Sequence, residues 1–247
     1  ITGSVDVYRR ETKDLLNTVL TPMGANFGNS LLTNIGSMRN QGIDLALNVI
    51  PIENDDMSLS LSFTGTFQNI KFTKLNNTDD PNYAIDVSGI SGGTGNTIAR
   101  HMVGYAPFTF YPYQQLYDHN GKPIQNGFVD RDGDGVITTA DRYMSNKSPN
   151  PDFFYGVNLK FNYKNWDFGF NGHGSVGNWV FNNVKGGNSS ANYVAANVSV
   201  DNYLRYVKET GFVGTNSIEQ YTTDLFLENA SFFLFFCLIS NVNRFRF

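Results

Sequence analysis

The sequence predicts an all-β fold: part of an antiparallel up-and-down transmembrane β-barrel, with about six strands and long extracellular loops. Three observations support this prediction. Apolar and polar residues alternate with period two in several segments, the connections between these segments alternate between short and long, and charge is sparse. Charged residues make up 16% of the chain, below the ~25% of ordinary soluble domains.

The clearest alternation covers residues 153–176, where apolar side chains occupy every second position on both sides of residues 164–165. A two-residue turn there pairs Tyr163 with Trp166 and puts every apolar side chain of the hairpin on one face. Each arm is about as long as the ~9–11 residues that a tilted strand needs to cross a bilayer. The two aromatic residues beside the turn match an interfacial girdle. A hairpin of a soluble β-sandwich also alternates, so this hairpin alone favours the membrane only weakly.

Strands with the same alternation are predicted upstream, over residues 1–10, over residues 42–50 and from Met57 onwards. The polar face of the third strand is a row of serine and threonine residues. Such a row suits a wet lumen better than a soluble protein's surface, where lysine and glutamate are usual.

The connections between the strands keep a strict order of size. A barrel with short periplasmic turns and long outside loops requires this order, whereas a soluble sandwich does not. The predicted connections are long at about 11–40, short at 51–56, long at about 70–152, short at 164–165 and long at about 182–223.

One motif in the second long loop has the spacing of a calcium site. Carboxylates fall at positions 1, 3, 5 and 12 of a twelve-residue stretch, and Gly135 at position 6 permits a sharp turn. The predicted ligands are the carboxylates of Asp130, Asp132, Asp134 and Asp141 and the carbonyl of Val136. The alternative is a solvated acidic turn. Long amphipathic helices do not flank the motif, so a structural calcium clip is expected rather than a sensor.

Other kinds of site have weaker support. His101, His119 and His173 lack zinc-site spacing, and no pair of opposed carboxylates suits a glycosidase, so an enzyme is not expected. The net charge of −4 disfavours nucleic acid as a partner. An aromatic cluster at residues 105–117 could stack on a sugar or cover a partner protein, but self-packing of the loop is the favoured interpretation.

The motifs together resemble one family: the C-terminal half of the SusC/RagA TonB-linked outer-membrane transporters of Bacteroidetes. The combination is more specific than any single motif. The matching stretches are residues 1–16, 26–49, 129–142, 148–182 and 224–233.

This resemblance implies a 22-stranded barrel in the outer membrane, plugged by an N-terminal domain and energised by TonB. It also implies a SusD-like surface lipoprotein as partner, oligosaccharides or peptides as cargo, and the acidic motif on an extracellular loop near the lipoprotein. The polar face of the hairpin would line the plug and the cargo path. Alternation assigns Asn158, Lys160, Asp167 and Asn171 to that face. A different hypothesis is a soluble, secreted, calcium-stabilised β-protein that binds glycans.

Two departures from the family pattern define the expected domains. Residues 1–233 are predicted to be a partial barrel domain without the N-terminal plug. Residues 234–247 are predicted to be an aberrant tail, because a solid apolar run that contains the lone Cys237 replaces an alternating strand. A frameshift or truncated gene fits that change.

Overall fold

The computed structural model describes residues 1–20, 30–76, 80, 82–90, 96–187, 204, 207–212 and 218–241. Two compact units are present. The first comprises Ile1–Thr78, Asn150–Asn178 and Ala230–Phe247, and the second comprises Asp79–Pro149 and Trp179–Asn229.

Thirteen strands and two short helices are defined among the described residues. The helices are α1 (Asn183–Gly187) and α2 (Ile218–Tyr221). The strands are β1 (Thr2–Leu20), β2 (Ser30–Glu53), β3 (Met57–Lys74), β4 (Ala84–Gly89), β5 (Thr97–Met102), β6 (Thr109–Phe110), β7 (Gln115–Tyr117), β8 (Pro123–Phe128), β9 (Phe153–Tyr163), β10 (Trp166–Val176), β11 (Trp179–Phe181), β12 (Leu227–Asn229) and β13 (Phe232–Asn241). None of the helices in the described part of the chain is long and apolar enough to cross a membrane.

The first unit is a six-stranded antiparallel sheet in the order β1-β2-β3-β9-β10-β13. The hairpin of β9 and β10 has the predicted register, with Tyr163 opposite Trp166 at the turn. Lys164 in that turn has a positive φ of 49°, which a tight two-residue turn requires.

The apolar face of the hairpin extends over the neighbouring strands because the registers keep the same phase. Leu159 lies opposite Leu61 of β3 and Phe170 of β10. Leu61 lies in turn opposite Val49 of β2. A two-residue period therefore produces one apolar face shared by adjacent strands, as predicted.

The prediction of the first long loop at about 11–40 is wrong in its extent, because the connection is shorter than predicted. The pairing of β1 with β2 continues from Thr12 opposite Met38 to Leu20 opposite Ser30, so the connection covers only residues 21–29, outside the described residues. The physical reason is that ladder hydrogen bonds join backbone groups whatever the side chains are. Backbone pairing of this kind does not need an apolar alternation.

The predicted aberrant tail at 234–247 begins inside a strand. β13 pairs with β10 over ten residue pairs, from Phe232 opposite Ser175 to Asn241 opposite Trp166. The apolar run extends this ladder because Phe, Leu and Ile favour strands and β10 offers a partner. Its loss of alternation leaves both faces of β13 apolar. The frameshift stays a prediction, and residues 242–247 lie outside the described residues.

The second unit occupies most of the two long connections predicted at about 70–152 and 182–223. Parts of them are not open loops. The first contains a three-stranded sheet (β4-β5-β6) and the hairpin of β7 and β8, and the second contains α1 and α2 and is flanked by the β11–β12 pair. Stretches this long fold when they can bury apolar side chains of their own. One buried cluster of this unit consists of Ile98, Ala99, Phe110 and Leu227, and a second contains Phe212 and Phe226.

The aromatic cluster at 105–117 packs mainly on its own unit, as the favoured interpretation predicted. Phe110, Tyr111 and Tyr113 are buried, while Phe108 and Tyr117 are exposed. The guanidinium carbon of Arg100 lies 3.6 Å from the centre of the Tyr111 ring. These rings therefore stabilise the second unit rather than forming an open stacking surface.

Candidate functional site

The acidic loop brings three of its four predicted carboxylates together. One carboxylate oxygen from each of Asp130, Asp132 and Asp134 lies within 4.8 Å of the others. All three side chains are exposed. A hard cation such as Ca²⁺ binds oxygens at 2.3–2.6 Å, so oxygens on opposite sides of it stand up to about 5 Å apart. The geometry of this cluster therefore fits a calcium ion.

Backbone N–H groups shape this cluster. Asp130 accepts hydrogen bonds from the N–H of Gly133 at 2.7 Å and of Gly135 at 2.8 Å. Both glycines have positive φ, 77° and 81°, a backbone conformation that side chains other than glycine rarely adopt. The turn predicted at Gly135 is present, and Gly133 supplies a second one that the motif alone did not indicate.

Asp141 is not one of the three clustered carboxylates, and it ties the loop together through backbone N–H groups. Its Oδ1 accepts from the N–H of Arg131 at 2.7 Å, and its Oδ2 accepts from the N–H of Thr138 at 2.7 Å. The side chain is fully buried, and it forms a capping box with Thr138 at a short 3-10 turn, Thr139–Asp141. The structure therefore gives Asp141 a clamping contact that its spacing did not predict.

The charge distribution gives two of the loop carboxyl groups different pKa values. The N–H of Asp134 lowers the pKa of Asp132, but desolvation and the neighbouring carboxylates outweigh this, so the pKa of Asp132 is raised overall. Hydrogen bonds from the Thr138 and Arg131 backbones hold the pKa of Asp141 below its usual range. Asp141 thus stays ionised to lower pH than Asp132.

Arginines fix both ends of the loop to the rest of the second unit. Arg131 donates to the Gln114 side chain at 2.9 Å. Arg142 donates to the carbonyls of Tyr111 at 2.7 Å and Thr97 at 2.5 Å. These contacts give the loop a rigid base and leave its three exposed carboxylates at the surface.

The four residues predicted to face the lumen lie on one face of the sheet. Asn158 pairs with Asn171, and the Asn158 amide donates a hydrogen bond to the Asn171 side chain. Lys160 and Asp167 belong to the same face by register. Hydroxyls of β3 continue this face, since Asn162 donates to the Ser58 hydroxyl at 2.9 Å. The structure places these polar groups together on one face of the sheet.

Comparisons with known proteins show which family the chain is similar to. No family model matches the chain. The TonB-dependent receptor SusC of Bacteroides thetaiotaomicron is 39% identical over 234 residues, which are 94% of this chain and 23% of that protein. The TonB-dependent receptor P26 of Formosa agariphila is 29% identical over 188 residues, 73% of this chain and 19% of that protein.

Solved structures support the same fold. The RagAB peptide transporter structure matches with a TM-score of 0.66 and 24% identity, over 94% of this chain and 26% of that one. The RagAB peptide importer in the 'open-open' state matches with a TM-score of 0.67 and 22% identity, over 94% of this chain and 25% of that one. Because these structures are less than 25% identical to the chain, the comparison concerns the fold alone, and it confirms the predicted barrel fold.

The chain spans about a quarter of the length of the SusC relative that it matches. The relatives are receptors and transporters, which confirms the expectation that the protein is not an enzyme. The predicted motifs, the six-stranded sheet and the 39% identity over nearly the whole chain agree. The chain therefore belongs to the SusC/RagA family of TonB-dependent receptors.

Proposed function

We propose that this chain forms part of the barrel wall of an outer-membrane importer, energised by TonB, that takes up oligosaccharides or peptides with a SusD-like lipoprotein. The family membership and the likeness to the RagAB peptide importer support an import role. The single observation that carries the proposal is the apolar face that runs in register across adjacent strands of the sheet.

The height of this apolar face suits a membrane. Along β3 it reaches from Met57 to Phe67, and ten residues of strand span about 33 Å. A tilt of about 40° reduces this to about 25 Å, the height of the apolar band of outer-membrane barrels. In the proposal this face contacts lipid. The opposite face, with Asn158 and Lys160, lines the lumen.

The importer role is tested in the organism that carries the receptor gene. Deletion of the gene should abolish growth on one oligosaccharide or peptide source, and a protonophore should stop uptake of that source, because TonB transmits the energy of the proton gradient. Growth on a free monosaccharide serves as the control. Unchanged uptake of every oligosaccharide and peptide in a broad panel would contradict the proposal.

We also propose that the acidic loop binds calcium on the extracellular side. Three convergent carboxylates and two glycine turns support it. Asp130, Asp132 and Asp134 would supply ligands, together with the Val136 carbonyl and with Asp141 as a ligand or a clamp. A bound Ca²⁺ would neutralise carboxylates that otherwise repel one another.

Replacing Asp132 by Asn should remove most of the stabilisation that calcium provides. Saturating Ca²⁺ should raise the melting temperature of the parent receptor, since a ligand that binds only the folded state stabilises it. The variant should lose most of this rise, whereas Asp118→Asn, in a turn of the same unit, should keep it. Differential scanning fluorimetry with Ca²⁺ or with EDTA measures the effect.

Acidification should weaken calcium binding, as the Asp132→Asn substitution does. Because the pKa of Asp132 is raised, this carboxylate is protonated at a higher pH than an ordinary aspartate. Calcium affinity should therefore fall with pH. A melting temperature that is insensitive to Ca²⁺ in the parent receptor would contradict a calcium site.

A further inference from the structure

The apolar face of the sheet ends abruptly at the end that carries the long connections. Val7, Ile43 and Phe67 form its last row across β1, β2 and β3, since they lie opposite one another in register. Two residues further on, the same face carries a polar row. Its members are Arg9, Gln41 and Asn69. The change from apolar to polar therefore happens within one step of the two-residue period.

A groove of ≈ 630 Å³ lies at this change. Its lining contains all six residues of the two rows, together with Tyr8, Gly42, Gln68 and Asp152 of the row between them. Residues of that intermediate row point their side chains to the opposite face. The groove therefore runs across the strands on the apolar face, with one apolar wall and one polar wall.

Positive charge accumulates beyond the polar wall. The next row on the same face consists of Glu11, Arg39 and Lys71. Glu11 is bonded to Arg9 at 2.8 Å and to Arg39 at 3.2 Å. Two rows thus hold three cations and one carboxylate, in a chain whose net charge is −4. This local excess of positive charge would attract an anion.

The apolar wall of the groove is open to its surroundings. Val7 is 79% exposed, Phe67 49% and Ile43 42%. A free phosphate ion would gain nothing from such a wall, and a water-soluble saccharide would not need the cations. An amphiphile uses both, because its acyl chains cover apolar side chains while its head group meets the arginines and the lysine.

We propose that this groove binds the phosphorylated head group of an outer-leaflet lipid. The inference rests on the proposed membrane insertion. Long connections mark the outer side of a barrel, and the groove lies at that end of β1, β2 and β3. The phosphate contacts Arg9 and Lys71, and the first part of the acyl chains lies on Val7, Ile43 and Phe67.

The test uses the full receptor that contains this segment, purified in dodecyl maltoside. Native mass spectrometry counts bound lipid during titration with bis-phosphorylated lipid A, with its phosphate-free form and with inorganic phosphate. The double variant Arg9→Ala, Lys71→Ala should bind lipid A more weakly by about fivefold for each cation removed. The control Arg10→Ala, Lys122→Ala removes the same charge, but Arg10 belongs to the opposite face and Lys122 to the second unit.

Loss of binding in the first variant alone supports the groove. Equal binding by both variants, equal binding of phosphate-free lipid, or saturation by inorganic phosphate alone overturns it. Heat-modifiable migration in gel electrophoresis reports the folded barrel separately. A receptor that shows heat-modifiable migration but binds no lipid A refutes the lipid site alone. A receptor that is soluble and monodisperse without detergent refutes membrane insertion, and the lipid site with it.

Discussion

A Leu159→Arg substitution should destabilise the membrane-inserted receptor by about 2–4 kcal/mol, the cost of a basic side chain on the lipid face near the bilayer midplane. Leu159 lies near the middle of β9, and its neighbours on the same face are Leu61 and Phe170. Lipid offers the guanidinium neither water nor a counter-ion. The arginine must therefore snorkel or thin the bilayer locally.

The matched control is Asn158→Arg, one residue earlier on the opposite face. There the side chain enters a polar row with Ser62 and Asn171, and the effect on stability should be small. Urea unfolding in phospholipid vesicles, followed by heat-modifiable migration, measures both variants. Equal destabilisation at the two positions would show that the face assignment is wrong.

A Gly174→Ala substitution should destabilise the sheet by about 1–3 kcal/mol, the usual range for overpacking. A Cβ at this position would lie 2.3 Å from the Phe232 carbonyl oxygen and 2.8 Å from the Tyr155 ring. The first of these atoms belongs to the backbone of β13, so the strand itself must move. Because Gly174 has no side chain, the Tyr155 ring can lie across β10, and β10 and β13 can approach each other closely.

Gly169→Ala is the control for this prediction, because it lies in the same strand and a Cβ there meets nothing within 4 Å. It should be neutral within about 0.5 kcal/mol, as most surface substitutions are. The same unfolding assay compares the two variants. A neutral Gly174→Ala would mean that β10 and β13 are further apart than the structure shows.

The sequence was sufficient to predict the hairpin of β9 and β10 to the residue. Its alternation is strict, and a slip of one residue would turn every apolar side chain to the wrong face. The convergence of Asp130, Asp132 and Asp134 also followed from spacing, because glycine turns dictate where alternate side chains point.

Other features depend on partners that are remote in sequence. The length of β1 and β2 beyond Thr12 comes from mutual backbone pairing, which leaves no trace in polarity. The clamp at Asp141 depends on the positions of the Arg131 and Thr138 N–H groups, which spacing alone does not specify. The cationic rows at Arg9 and Lys71 become visible only when three strands are placed in register.

The central claim, that the odd-numbered face of β9 meets lipid and the even-numbered face meets water, has one direct test. Single nitroxide labels at residues 156–161 of the full receptor in vesicles, with Cys237 replaced by serine, report exposure to oxygen and to a water-soluble nickel complex. Oxygen exposure should peak at Val157, Leu159 and Phe161, and nickel exposure at Gly156, Asn158 and Lys160. Exposure without a two-residue period, or with the opposite phase, would contradict the central claim.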